Sequence, residues 1–257
     1  MKFSGRDTTP MKMRDDRHAG LPGRALYVEL PETGYEEALA FQFSLAEARA
    51  AGTLDRDAFI FLEHSPVFTL GRRGGREYIT APEDTLEASG IPVVQTNRGG
   101  TITYHGPGQI ILYPIVALKK ARLGVVEFVE LLEEIMIRTA SGFDVDAKRN
   151  PLNRGVWVGE KKLGSIGLAV RRGVTCHGLA FNVNVDLEPF SWINPCGLYG
   201  VKMTSLAVEL AADIGVKKVL PVMKENVERV FNVKLEDFVK STIPALSASG
   251  SGSVSGS

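Results

Sequence analysis

Apolar strand runs closed by glycine turns, with only a few helical stretches between them, constrain this chain more than any other feature. Residues 25–30 (ALYVEL) alternate in the period of a strand, and residues 58–62 (AFIFL) form a continuous apolar run. Residues 92–95, 101–104 and 109–116 read as further strands broken by Gly-rich turns, and a second strand block covers 155–158, 162–171 and 175–186. Helical spacing falls on residues 35–51, which stop at Gly52, on 125–139, and on 205–212 and 219–231. Thr33-Gly34-Tyr35-Glu36 has the form of a capping box, in which Thr33 and Glu36 would satisfy each other's free backbone donors. In the second helix Val125, Phe128, Leu132, Ile135 and Met136 are expected on one buried face, with Glu127, Glu130, Glu133 and Glu134 largely elsewhere. Strands and helices without strict βαβ alternation predict an α+β fold, a single domain around a mainly antiparallel or mixed sheet.

Composition narrows the function classes. Thirty Lys+Arg balance thirty Asp+Glu in 257 residues, so no overall field favours nucleic acid or an anionic membrane. No apolar run approaches the roughly 20 residues that span a bilayer, and residues 1–22 lack the apolar core of a signal peptide. Two cysteines do not make a disulfide scaffold. The expectation is a soluble cytoplasmic enzyme or binding protein with a mobile arm at 1–22, one folded domain at 23–240 and a flexible Gly/Ser-rich tail at 241–257.

Three segments carry more than a core or an ordinary loop requires. Arg98-Gly99-Gly100-Thr101-Ile102-Thr103-Tyr104-His105 runs into Gly106-Pro107-Gly108-Gln109. Paired glycines let backbone approach a ligand, and Arg98 and His105 bracket a strand, although a plain hairpin with glycine turns has the same composition. It is neither a Walker loop nor a dinucleotide fingerprint. Lys162 opens an apolar strand, where a lysine ordinarily snorkels to solvent; buried there, it would be placed to act as a base. Lys161 alternates to the other face. Cys176 and His177, being adjacent, make a poor nucleophile–base pair, and Cys176 reads as a buried structural thiol. Cys196 instead sits between Pro195 and Gly197 in a turn, reachable and flanked by backbone N–H groups that favour a thiolate. His18, His64, His105 and His177 show no metal-ligand spacing, so no metal is expected.

Taken together these segments resemble the lipoyl(octanoyl) transferases. Glu63-His64-Ser65-Pro66-Val67-Phe68-Thr69-Leu70-Gly71, the Arg98–Gln109 stretch, Lys162-Leu163-Gly164-Ser165-Ile166-Gly167, His177-Gly178-Leu179-Ala180-Phe181-Asn182 and Asn194-Pro195-Cys196-Gly197 match that family in order and spacing, from about residue 26 to 235. The resemblance implies a fold related to biotin protein ligases and lipoate ligases. It implies transfer of an octanoyl group from octanoyl-acyl carrier protein to a lysine of lipoyl domains in 2-oxoacid dehydrogenases and in the glycine cleavage H protein. Cys196 would form the acyl thioester with Lys162 as its acid/base partner. Arg98, Gly99, Gly100, Thr101, Ile102, Thr103, Tyr104, His105, Ser165, Ile166, Gly167, Gly178, Leu179 and Ala180 would line the acyl pocket. A thioester donor is already activated, so no cofactor is expected.

Two rivals stay open at this level. An ATP-dependent lipoate or biotin protein ligase would adenylate its acid without a cysteine nucleophile, and a non-catalytic binding protein would tolerate loss of Cys196. Gly99, Gly100, Gly164, Gly167 and Gly178 are expected to leave room for a slender alkyl chain. Burying the octanoyl tail would contribute about 5–6 kcal/mol at roughly 0.8 kcal/mol per methylene. Three basic groups are candidate docking surfaces for acidic protein substrates: Arg72, Arg73 and Arg76; Lys119, Lys120 and Arg122; Arg171 and Arg172.

Overall fold

The structure is a computed structural model, and it describes residues 23–151, 153–194 and 200–238. The expectations for residues 1–22 and 241–257, and the one for Cys196, lie outside the described residues.

The chain opens with β1 (Arg24–Glu29), α1 (Tyr35–Ala51), β2 (Ala58–Leu62) and β3 (Val67–Leu70). Next come α2 (Glu83–Ser89), β4 (Val93–Gln95), β5 (Ile102–His105), β6 (Gln109–Ile115), α3 (Leu118–Ala121) and α4 (Val125–Ser141). The second strand block is β7 (Lys148–Asn150), β8 (Asn153–Val158), β9 (Lys161–Arg171) and β10 (Val174–Asn182). After β11 (Lys202–Met203) the chain ends in α5 (Leu206–Leu210), α6 (Val216–Phe231) and β12 (Lys234–Asp237).

The main sheet runs β12-β1-β2-β6-β10-β9-β8-β7, with β11 added to β9. Only the pairs β1–β12, β1–β2 and β9–β11 are parallel, so the sheet is mixed and mainly antiparallel. Three shorter strands, β4-β3-β5, make a second sheet.

Strand alternation explains the layers. Phe59, Phe61, Ile110, Leu112, Leu179 and Phe181 pack on one face against α4 and α6. Ala58, Ile60, Leu62, Ile111, Tyr113, Ile115, Cys176 and Ala180 pack on the other, where α1 contributes Ala38, Leu45 and Ala46. A central strand covered on both faces has no polar side, which is why residues 58–62 read as an unbroken apolar run. The second sheet has its own cluster of Phe68, Leu70, Ile102, Tyr104, Phe190 and Ile193.

Several local expectations are corrected. The capping box does not form: Gly34 is the N-cap of α1 with no side-chain cap, and the Thr33 hydroxyl donates to Pro31 O (2.7 Å). The C-terminus behaves as read, with Gly52 left-handed at φ 82°. Val125 is 49% exposed because it lies in the first turn of α4, before the helix reaches the core. Glu133 is buried, since its carboxylate accepts the Gly155 N–H (3.0 Å) and faces Arg149 and Arg154 at 3.3 Å each. β10 stops at Asn182 rather than 186. No helix among the described residues is long and apolar enough to cross a membrane.

Candidate active site

The two sheets meet at a pocket whose walls come from segments far apart in sequence. Tyr35 stands at the start of α1, and Arg98, Gly100 and Thr101 come from the loop before β5, followed by Ile102, Thr103 and His105 on β5 itself. Tyr113 comes from β6, Ser165, Ile166 and Gly167 from β9, and His177, Gly178, Leu179 and Ala180 from β10. The cleft between these walls is narrow: most of its roughly 490 Å³ is the open mouth, and only about 50 Å³ is enclosed. A wider groove between β1 and α1, lined by Tyr27, Phe41 and Phe238, brings none of the sequence-predicted residues together.

Of the sequence-predicted lining, Gly99 and Tyr104 do not face this space. Gly99 donates its N–H to Leu168 O (2.8 Å), laying the loop against β9 beyond the end of β8. Tyr104 turns into the small-sheet core, its ring 5.4 Å from Phe68 and 5.3 Å edge-on from Phe190. Gly100, Gly167 and Gly178 do line the pocket, and several of the glycines carry close packing as well. A methyl on Gly178 would run into the Leu112 carbonyl of β6, one on Gly164 into Met136 of α4, and one on Gly167 into Arg98. They allow protein to approach protein, and the pocket follows from that close packing.

Arg98 is the one charged residue among the described residues lining the pocket. Its guanidinium donates to Thr69 O (2.5 Å), Thr69 Oγ1 (2.9 Å), Thr101 O (3.0 Å) and Gly99 O (2.9 Å). It therefore staples the glycine loop onto β3. Thr101 Oγ1 beside it is buried with no hydrogen-bond partner, a polar atom available to a ligand at the wall.

Three buried histidines surround this point, and burial holds each of them neutral. His64 donates from Nδ1 to Thr33 O (2.8 Å) and receives the Tyr113 hydroxyl at Nε2 (2.7 Å). Desolvation lowers its pKa to about 4. His177 donates from Nε2 to Asn97 Oδ1 (2.6 Å); burial and then the Arg98 charge lower it to about 4. His105 is pushed well below its ordinary value, chiefly by burial and next by His64. Its Nδ1 donates to Gln109 Oε1 (2.7 Å), which leaves Nε2 as an acceptor. The same burial raises the hydroxyls of Tyr35 and Tyr113, so they too stay neutral.

A chain of oriented hydrogen bonds leads from this pocket to Lys162. Gln109 Nε2 donates to Asn182 Oδ1 (2.8 Å), Asn182 Nδ2 to Thr204 O (2.9 Å), and Thr204 N–H to Lys162 O (2.9 Å). Lys162 is 1% exposed, so it does not snorkel. Its ammonium nitrogen donates to Asn153 Oδ1 and lies 5.3 Å from the Trp157 ring centroid. Lys161 points outward to Glu209, as alternation requires. Cys176 is buried and its thiol is pushed up to about 11, which leaves it inert.

Residues 195–199, with Cys196, lie outside the described residues, but the chain on either side is anchored. Ile193 bridges Ile79, and Asn194 N–H donates to Tyr78 O (2.8 Å). On the far side Met203 pairs in register with Lys162.

Sequence reasoning missed Tyr35, Tyr113, Asn97 and Asn153, and passed over His64 and His177 as site residues. The histidines sat in the quoted motifs. A tyrosine inside the apolar run QIILYPI was a readable signal for Tyr113, while nothing marked Asn97 or Asn153.

Comparison with known proteins adds the following. A family model described as the lipoyl protein ligase A/B catalytic domain matches residues 34–228. The octanoyltransferase of Desulfotalea psychrophila is 54% identical over 188 residues, which cover 72% of this chain and 84% of that protein. The octanoyltransferase of Xanthomonas euvesicatoria pv. vesicatoria is 38% identical over 229 residues, 89% of this chain and 93% of its own. Among solved structures, a lipoate-protein ligase A bound with ATP superimposes with a TM-score of 0.70 at 16% identity, covering 88% of this chain and 93% of that one. A putative lipoate protein ligase from T. acidophilum with bound lipoic acid gives 0.68 at 18%, with the same coverage. At such identities the structural likeness speaks for the fold alone.

Proposed function

The chain belongs to the lipoyl protein ligase A/B catalytic family, and from that membership we propose that it is an octanoyltransferase of protein lipoylation, moving an octanoyl group from octanoyl-acyl carrier protein to a lysine of lipoyl domains. The acceptors in this reading are lipoyl domains of 2-oxoacid dehydrogenases and the glycine cleavage H protein. The observation that carries it is the buried Lys162, held by Asn153 and paired in register with Met203, seven residues after Cys196.

In the first half-reaction the Cys196 thiolate attacks the thioester carbonyl of the donor. The tetrahedral intermediate collapses, the C–S bond to the carrier breaks, and the departing thiolate takes a proton from the Lys162 ammonium. In the second, the acceptor lysine amine attacks the Cys196 thioester, passes a proton to the now neutral Lys162, and Cys196 leaves as thiolate. Each proton that Lys162 gives up in the first step it regains in the second. In this reading the neutral His105, His177, Tyr35 and Tyr113 supply a wall without net charge beyond Arg98, suited to an alkyl thioester, and the unpartnered Thr101 hydroxyl in the same wall supports a contact with the acyl group.

The test is intact-protein mass spectrometry after mixing with octanoyl-acyl carrier protein in the absence of ATP. Wild type is expected to gain one octanoyl group, about 126 Da for a covalent acyl intermediate, and Cys196→Ser to gain none. A wild-type enzyme that stays unmodified under rapid quench, and transfers only when ATP is added, would replace this reading with a ligase.

A further inference from the structure

Lys162 reaches the pocket side of the main sheet only because β9 carries one extra residue. Val156 pairs with Gly164 and Trp157 with Lys162, so Leu163 has no opposite number on β8. Leu163 packs in the α4–α6 core, and a methyl on Gly164 would run into Met136 of α4. Two successive residues therefore face α4, where simple alternation would have turned Lys162 the same way as Gly164. The bulge turns it instead to the face of Ser165 and Gly167, which line the pocket. Gly155, opposite Ser165, keeps the passage clear. At φ 120° a methyl there would run into Gly164 O and crowd Lys162 Cε at 3.0 Å.

The backbone of Lys162 is held on both sides, by Trp157 of β8 and by the Thr204 N–H, which donates to Lys162 O (2.9 Å). Its nitrogen stands at the end of a flexible four-carbon stem, which backbone pairing does not fix. Asn153 supplies a fixed point: its Oδ1 accepts from Nζ, while the Trp157 ring lies on the other strand with its centroid 5.3 Å from the same nitrogen. Asn153 opens β8 and is half-buried, and the two residues after it are tied down from α4. The buried Glu133 carboxylate accepts the Gly155 N–H (3.0 Å) and a hydrogen bond from the Arg154 guanidinium (3.3 Å). The buried acid on α4 thus sets the strand start from which Asn153 reaches Lys162.

An amide is the partner that suits a group which changes protonation state during the reaction. Nζ can donate to an amide oxygen as ammonium or as neutral amine, since both carry N–H. A carboxylate in the same place would fix the nitrogen equally well, but it would favour the ammonium and resist the neutral form. We propose that Asn153 is a positioning residue for acyl transfer, keeping the Lys162 nitrogen in place in both protonation states. Its neutrality serves the second half-reaction above all. A thiolate can leave without its proton, whereas an attacking amine must lose one before the amide forms, and neutral Lys162 takes it. This rests on the octanoyltransferase reading with Lys162 as its acid/base group, and adds the residue through which that group is held.

The experiment compares the full chain with Asn153→Ala and with the near-isosteric Asn153→Asp. Both are expected to fold, because Asn153 is only half-buried at the start of its strand. Intact-protein mass spectrometry after rapid mixing with octanoyl-acyl carrier protein, without ATP, follows formation of the acyl-enzyme. Addition of the lipoyl domain follows its decay, and steady-state rates give kcat and both KM values. Asn153→Ala is expected to lower kcat about tenfold or more with each KM within about twofold, since no substrate contact is removed. Asn153→Asp is expected to form the acyl-enzyme within about threefold of the wild-type rate but to pass the acyl group on about tenfold or more slowly, so that acyl-enzyme accumulates during turnover. A kcat within twofold of wild type in Asn153→Ala, a loss confined to KM, or an Asn153→Asp variant that turns over normally or slows both steps alike overturns the assignment while leaving octanoyl transfer intact. Wild type that forms no acyl-enzyme and transfers only with ATP removes the octanoyltransferase reading, and the assignment with it.

Discussion

His64 is held neutral because the cost of burying its charge outweighs the one Thr33 carbonyl that favours it, and that has a measurable consequence. Its ring accepts from one hydroxyl and donates to one carbonyl, an arrangement only the neutral tautomer can make. The unfolded chain titrates near pH 6.5 and the folded one near 4. The folded form therefore binds fewer protons between those values. Stability from this residue is complete above about pH 6.5 and is lost as pH falls toward 4, by on the order of 2–3 kcal/mol. His177 and His105 add to the same trend in the same direction. The two carboxylates held below their ordinary value, Glu134 and Glu209, matter only at lower pH, so the upper part of the window belongs to the histidines. Melting temperature followed from pH 7 to 4.5 should fall steadily in wild type and less steeply in His64→Gln. Equal slopes would mean that His64 is already protonated, or free to become so, in the folded state.

At the scale of elements, Gly178 decides whether β10 can lie against β6. Leu179 to Asn182 pair with Leu112 to Gln109, and position 178 faces the Leu112 carbonyl and the Pro114 ring with no space for a methyl. Gly178→Ala should cost about 3 kcal/mol or more, because the obstacle is backbone at the centre of the sheet. Urea unfolding would measure it; a loss below about 0.5 kcal/mol, ordinary for a surface change, would show that the strands can separate there. That packing role was invisible in the sequence, where the same glycine read as room for substrate. What was legible followed from period and length. The long helices α1, α4 and α6 and the apolar strands β1, β2, β6, β9 and β10 carry enough turns or alternations to stand out. β7 (KRN) and β12 (KLED) have almost no apolar residues and exist because they pair at sheet edges, and α3 is a single turn. The capping box failed because its signature is local: the Thr33 hydroxyl turned back to Pro31, and its backbone engages Glu63 O and His64.

The candidate site is a property of the whole molecule. Arg98 to His105 and Ser165 to Ala180 were readable as unusual strings, but their meeting depends on β5, β9 and β10 converging between two sheets, which no single segment encodes. The same convergence predicts how the molecule comes apart. The small sheet has its own core around Phe68 and Trp192, the ordinary condition for separate unfolding. Three ties oppose this. Arg98 binds Thr69 of β3, Gly99 is hydrogen-bonded to Leu168 of β9, and β5 runs through Gly106-Pro107-Gly108 directly into central β6, where Gly108 O receives Val183 N–H (3.0 Å). The chain's two tryptophans report on the two halves, Trp157 on β8 and Trp192 beside Phe68. In Trp157→Phe and Trp192→Phe each remaining fluorophore watches one sheet, and its urea transition should superimpose on the same variant's far-ultraviolet circular dichroism. A Trp192 signal that changes before the dichroism would make the small sheet a separate unit able to open the pocket. Coincident curves mean that the wall carrying Arg98 and His105 is as stable as the main sheet, so a ligand would meet a pocket already formed.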